Sequence, residues 1–243
     1  MDFNSTEVLS YINNTIVPAL KYTTPNFVKL FKKQEDFIRK FCIKNYILVS
    51  HSRQVGVSVA LELLVIALCK NFPNINIAYI DSLPMSRTNF FIRVTNILNH
   101  INEDDNKYTD NALDRIEFDN NSKIYTFGGS SPAPHYKEIN FSVVIFNNTA
   151  FIDDLSEYGP LLLNERDIVN KHNTPHGIII ASTPRYKRGF FYSCWNSNDD
   201  KLFKFKWSWK GIRNKEWYSA MSFALNNDRN AIKRELDLEF VDN

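Results

Sequence analysis

The sequence predicts an α/β fold: a three-layer sandwich on a mostly parallel sheet, followed by a small C-terminal subdomain. Three observations carry this prediction. Between residues 46 and 182, short apolar runs alternate with helical stretches, the pattern of strands joined by crossover helices. Two of these runs, residues 141–146 and 177–181, are apolar without interruption by charge, as strands covered on both faces tend to be. After residue 200 the pattern becomes an alternating strand and then two amphipathic helices.

The 243 residues, 44% hydrophobic and 23% charged, suffice for a large buried core and exclude a disordered chain. A net charge of +2 argues for no partner by itself, so any basic surface is local. Cys42, Cys69 and Cys194 are odd in number and widely spaced, which suggests neither a zinc site nor a disulfide framework and suits a reducing compartment. The first residues lack the pattern of a secretory leader. The apolar stretch near 61–69 is too short to span a bilayer, so no membrane association is expected.

In chain order, residues 6–20 and 25–42 read as helices, with Pro25 at the first turn of the second. Residues 46–50 read as a strand, 51–58 as a polar loop with one glycine, and 60–68 as a helix apolar on most faces. A second strand is expected at 76–81. After Pro84 comes a helix whose stripe is Phe90, Phe91, Val94, Ile97, Leu98 and Ile101. Residues 102–111 read as an acidic surface loop, 115–127 as a hairpin turning at Asn120-Asn121, and 128–134 as a loop. A helical segment is expected at 153–172 between the two buried strands. Residues 202–210 read as an edge or antiparallel strand, and helices follow near 214–226 and 228–240.

Residues 46–68 have the strand–loop–helix context of a phosphate-binding loop, in which backbone amides and a helix N-terminus hold phosphate. Such a loop also needs a lysine for the β/γ-phosphates and a hydroxyl for Mg²⁺. Gly56 and Ser58 stand in the glycine and hydroxyl positions, but Val57 occupies the lysine position.

The order of motifs resembles the N-terminal ATPase domain of the large terminase subunit of tailed bacteriophages, the motor that pumps DNA into a procapsid. Ser52-Arg53-Gln54-Val55-Gly56-Val57-Ser58 is similar to that family's Walker A loop, and Gln34 to its adenine-recognition glutamine. Residues 143–151 resemble its Walker B segment, an apolar strand followed by two acids and then Ala-Phe. Ser182-Thr183-Pro184 resembles its coupling motif, and residues 229–240 the helix closing the domain. The resemblance implies a P-loop NTPase-like core over 1–184 and a small subdomain over 185–243. It ends where full-length relatives continue into a nuclease domain, so none is expected here. Implied partners are double-stranded DNA and viral portal, procapsid or other terminase subunits. The implied location is the cytoplasm of the infected host cell, or the virion.

The departures set the expected mechanism. Asn147 and Asn148 replace both Walker B carboxylates, and an amide cannot act as a general base or replace an anion near Mg²⁺. With Val57, one cation and two anions are missing from chemistry that depends on electrostatics. The expectation is a pseudo-ATPase with no catalytic residue and no required cofactor or metal, in which Gln34, Arg53, Gln54, Gly56 and Ser58 leave residual ATP/Mg²⁺ binding open. An active packaging ATPase working with a separate nuclease is the alternative, and an unrelated regulatory interaction a third reading. Two rescues stand against the loss: His51 at the start of the loop, where some terminases carry the lysine, and Asp153 or Asp154 after the strand. Arg53 could also brace the loop through an acidic neighbour instead of touching phosphate. A basic set, Arg185, Lys187, Arg188, Lys204, Lys206 and Lys210, could face DNA phosphates, or be the solvated face of a half-buried strand.

Overall fold

Two helical turns open the chain, fixed by Asn4, whose Oδ1 accepts from the amides of Thr6 (3.0 Å) and Glu7 (3.4 Å). The computed structural model describes residues 4–23, 27–101, 108–111, 114–128, 139–152 and 174–242. Helix α1 (Ser5–Tyr11) passes through a π-turn (Ile12–Ile16) into α2 (Val17–Thr23). Pro18 has no N–H to return to Asn14, and the wider turn lies directly before it.

Helix α3 (Lys32–Lys44) starts later than the expected residue 25. Gln34 decides the start: its Oε1 accepts the Phe31 amide at 2.9 Å and so closes the first turn there. Strand β1 (Tyr46–His51) then leads through the loop to α4 (Val57–Asn71). Eleven of the fifteen α4 residues are buried, which explains a helix apolar all round: it lies among α1, α3, α5 (Pro84–His100) and the sheet.

The described residues form one eight-stranded sheet, in the order β3-β4-β5-β2-β6-β7-β1-β8. Its strands are β1, β2 (Asn76–Asp81), β3 (Tyr108–Asn111), β4 (Arg115–Phe118), β5 (Lys123–Gly128), β6 (Val143–Asn147), β7 (Gly177–Ser182) and β8 (Phe203–Trp207). The six strands from β5 to β8 are mutually parallel, and β3 and β4 add antiparallel pairings at one edge. The predicted hairpin is β4–β5, turning at Asn120-Asn121 with Asn121 in the left-handed region (φ 66°). Two expectations change. Residues 108–111 form strand β3 instead of loop, because an edge strand needs only backbone pairing to β4 and leaves no apolar pattern. Strand β8 is an edge strand as expected, but it runs parallel to β1.

Every central strand alternates between two cores. Ile47, Val49, Ile77, Tyr79, Val143, Ile145 and Ile179 face the side covered by α1–α5. Leu48, Ala78, Ile80, Val144, Phe146 and Ile180 face the other side, where α6 (Gly189–Asn196) packs through Phe191. Of residues 185–243, α6 and β8 thus belong to the central layers, and α7 (Lys215–Ala224) and α8 (Arg229–Glu235) lie beyond them with no fully buried residue. Of the expected loop at 128–134, Gly128 ends β5, and residues 129–134, like the expected helix at 153–172 with Asp153 and Asp154, lie outside the described residues.

Candidate functional site

The parallel register brings the predicted motifs to one end of the sheet. Ser50 of β1 pairs with Ser182 of β7, Asn147 of β6 with Ala181, and Asp81 of β2 with Asn147. Here the loop after β1 borders a cavity of about 470 Å³. Gln34, His51, Ser52, Gln54, Gly56, Val57 and Ser58 line it, with Phe27 and Phe31 before α3, Arg93 of α5 and Arg213 after β8. Gly56 adopts φ 92°, and a Cβ there would meet Gln34 Nε2 at 3.0 Å, so glycine is required on both counts.

Gln34 is fully buried. Besides accepting the Phe31 amide, it donates from Nε2 to the Gly56 carbonyl at 3.1 Å, tying α3 to the loop. Arg53 does not reach into the cavity lining; its guanidinium lies 3.8 Å from Glu235, and its amide donates to the Glu235 carbonyl at 2.7 Å. Bracing through an acidic neighbour is thus the arrangement found for Arg53. Glu235 is pushed above the usual carboxylate range by burial, with Arg53 and Arg234 pulling the other way. Ser52 donates its amide to the Trp207 carbonyl (3.0 Å) and its hydroxyl to the Leu236 carbonyl (2.6 Å), and that hydroxyl accepts the Trp209 amide (3.1 Å). Arg213 donates to the Gln54 carbonyl at 3.0 Å. The first part of the loop, Ser52 to Gln54, is therefore held by residues 207–236.

Val57 is 3% exposed and joins the apolar core, so no cation projects from the lysine position. His51 supplies none either. Burial brings it down to about 4, and its Nδ1 donates to the Ser52 carbonyl at 3.0 Å, leaving a neutral ring whose Nε2 is buried and, among the described residues, unpartnered. Arg93 is a cation at the cavity wall, but it is paired with buried Glu62 through contacts of 2.6 and 2.8 Å.

At the end of β6 the two amides face a carboxyl group that sequence reasoning missed. Asp81, fully buried, ends β2. Asn147 Nδ2 donates to Asp81 Oδ2 at 2.8 Å and to the Tyr79 hydroxyl at 2.9 Å. Asn148, in the left-handed region at φ 54°, donates to Asp81 Oδ1 at 2.9 Å. The Leu83 amide (2.9 Å), the Ser86 hydroxyl (2.6 Å) and the Tyr79 hydroxyl (3.2 Å) complete the set. Both oxygens of Asp81 are thus occupied by donors from β2, α5 and β6. The available signal was positional: an aspartate ending a parallel strand at the level of Asn147.

Ser182, Thr183 and Pro184, expected to form a coupling motif, are buried, and the Ser182 hydroxyl accepts the Ala150 amide at 3.1 Å, linking β7 to the turn after β6. The residues of the basic set make different contacts. Arg185 and Arg188 line a second cavity, of about 360 Å³. Lys187 pairs with Asp242 at 3.0 Å, Lys204 donates to the Ser197 carbonyl, and Lys206 and Lys210 are not part of either cavity wall. On β8 the rings of Phe203, Phe205 and Trp207 pack into one core, as the alternation predicts. Among the described residues, no three metal-ligating side chains cluster.

A parallel sheet with one strand between the loop-bearing β1 and β6, and a glycine loop opening a buried helix, defines a P-loop NTPase-like fold. In particular, it is the fold of phage large-terminase ATPase domains. The ATPase domain of the Thermus phage P74-26 large terminase aligns with 88% of this chain and 94% of its own, at 16% identity and a TM-score of 0.70. The large terminases of another thermophilic bacteriophage (13% identity, TM-score 0.70, 88% of this chain) and of bacteriophage HK97 (14%, 0.68, 96%) are similar too. The chain spans 54% and 50% of these two, about half their length. No family model and no curated protein matches the sequence.

Proposed function

We propose that this chain is a terminase-type ATPase domain that has lost hydrolysis and serves as a binding or structural component of viral DNA packaging or virion assembly. The observation that carries the reading is the Asp81 network. Where a working site needs carboxylates facing Mg²⁺ and water, two amides are turned to donate to a buried acid. The acid is no substitute, since its oxygens already accept hydrogen bonds from Asn147, Asn148, Tyr79, Ser86 and Leu83. Val57 in the core and a neutral His51 remove the cations that would hold β/γ-phosphate.

Gln34, Gln54, Gly56 and Ser58 still frame a cavity of nucleotide size, so residual ATP binding without turnover is part of the proposal. The similar large terminase of the second thermophilic phage has been solved with ADP and with ATP-γ-S. The partners that go with this reading are double-stranded DNA and portal, procapsid or other terminase subunits, in the infected cell's cytoplasm or the virion. Among the described residues, no helix is long and apolar enough to cross a membrane.

The competing reading, an active packaging motor working with a separate nuclease, is favoured by the intact glycine loop and by Arg93 and Arg213 at the cavity wall. DNA-stimulated phosphate release separates the two. The unmodified chain is expected to show no turnover above a no-protein control, at ATP concentrations where a thermal-shift assay still reports binding. Robust turnover would end the proposal in favour of the motor. Absence of any thermal shift at millimolar ATP would remove residual nucleotide binding and leave the structural role.

A further inference from the structure

We infer that the chain carries a second anion site, a phosphate-binding cavity at the C-terminal ends of β6 and β7, separate from the loop cavity. It goes beyond the reading above, because a silent or an active domain could equally carry it. The cavity, about 360 Å³, lies between Thr149 and Ala150 after β6 and Arg185, Tyr186, Arg188 and Phe190 after β7.

Its distinguishing feature is a group of guanidinium cations around one ring. Arg185, Arg188 and Arg234 place their guanidinium carbons 5.1, 5.5 and 5.4 Å from the centre of Tyr186, and Arg185 also lies 4.7 Å from the centre of Phe151. Arg234 lies outside the cavity lining and interacts with the carboxyl of Glu235, but among the described residues neither Arg185 nor Arg188, which do line it, makes an ion pair, whereas the neighbouring Lys187 does, with Asp242. Contact with a ring face attracts a cation by only about 0.5–1 kcal/mol at exposed sites, and the three cations repel one another. An anion seated among them would relieve that repulsion.

The chemistry selects the anion. A guanidinium stacked on a ring keeps its N–H edge free, and that edge matches two phosphate oxygens at once. The first turn of α6, which no side chain caps, borders the same space and adds amide donors. The segment is also fixed in place. Val241 donates its amide to the Arg185 carbonyl (3.1 Å) and accepts the Lys187 amide at its own carbonyl (2.9 Å), a short parallel bridge through Tyr186. The ligand class is therefore a phosphate group, either a diester of a DNA backbone or a free phosphate.

Two probes on the whole chain distinguish these sources: a fluorescent duplex followed by anisotropy across a salt series, and inorganic phosphate followed by calorimetry. If the source is DNA, Arg185→Gln with Arg188→Gln weakens duplex binding about tenfold or more and lowers the slope of log K against log salt by about 2. If the source is free phosphate, the double variant loses the calorimetric signal and duplex affinity stays unchanged. Arg188→Gln alone, at an exposed position, gives an intermediate loss with Arg185 left on its rings. Neither arginine lines the loop cavity, so an ATP-induced thermal shift that is present in the parent chain persists in the double variant. Equal binding of both probes by the parent and the double variant, or no binding of either probe by the parent, overturns the site.

Discussion

A single buried acid fixes how the two amides after β6 are used. Asp81 accepts from both Asn147 and Asn148, so each amide faces a carboxyl group instead of supplying one. Removing one partner from a buried network costs more than the bond is worth, because the other partner is left unsatisfied. Asn147→Asp together with Asn148→Glu would set three carboxyl groups against one another in a buried space. This double variant is expected to lose at least about 3 kcal/mol of stability in urea unfolding. Adding Asp81→Asn should recover most of that loss, since it restores an acid–amide pairing with the roles exchanged. A double variant as stable as the parent would mean that Asp81 does not constrain these positions.

At the level of elements, the loop after β1 is gripped by the last part of the chain. Ser52 bonds to the backbone of Trp207, Trp209 and Leu236, Arg53 to Glu235, and Arg213 to Gln54. Ser52→Ala removes a buried hydroxyl that serves as donor and acceptor at once, which should cost about 2 kcal/mol. It should also speed hydrogen exchange at the Trp209 amide relative to amides in β6. Unchanged exchange there would show that the grip lies elsewhere. This grip was hidden in the sequence, because Ser52 and Leu236 are 184 positions apart and neither residue type announces a partner. The strands were legible for the opposite reason: residues 143–147 and 177–182 are short, apolar and buried on both faces. Strand β3 left no such mark, since only backbone pairing at an edge defines it.

For the molecule as a whole, the order of motifs along the chain and their surroundings in space came from different sources. The strand–helix alternation was enough to place the loop, the paired amides and the Ser-Thr-Pro turn at one end of a parallel sheet. What surrounds them came from register: Asp81 beside Asn147, and Arg93 and Arg213 across from Gly56. Two buried titratable groups near this end act on global stability in opposite senses. Burial pushes Glu62 up to about 7, with Arg93 pulling down, so its contribution is full below about 4.5 and is lost as pH rises through 7. Burial brings His51 down to about 4, so its contribution is full above about 6.5 and is lost as pH falls through 4. Each is worth about 3 kcal/mol over its window, and in the parent chain they largely offset. Glu62→Gln should therefore make unfolding free energy drop more steeply toward acid than in the parent, and His51→Gln more steeply toward neutral pH. Identical pH slopes in all three proteins would refute this pairing.

The donor set around Asp81 also bears on history. A lineage acquiring acids at positions 147 and 148 one at a time would have to pass through forms in which a second carboxyl group sits against that of Asp81. The easier first step is to neutralise residue 81, and that alone restores no catalysis. If hydrolysis is lost as proposed, such an arrangement would work as a ratchet: with an acid at residue 81 beside the amides, a return to a motor would run through weaker intermediates, while drift toward new binding roles would stay open.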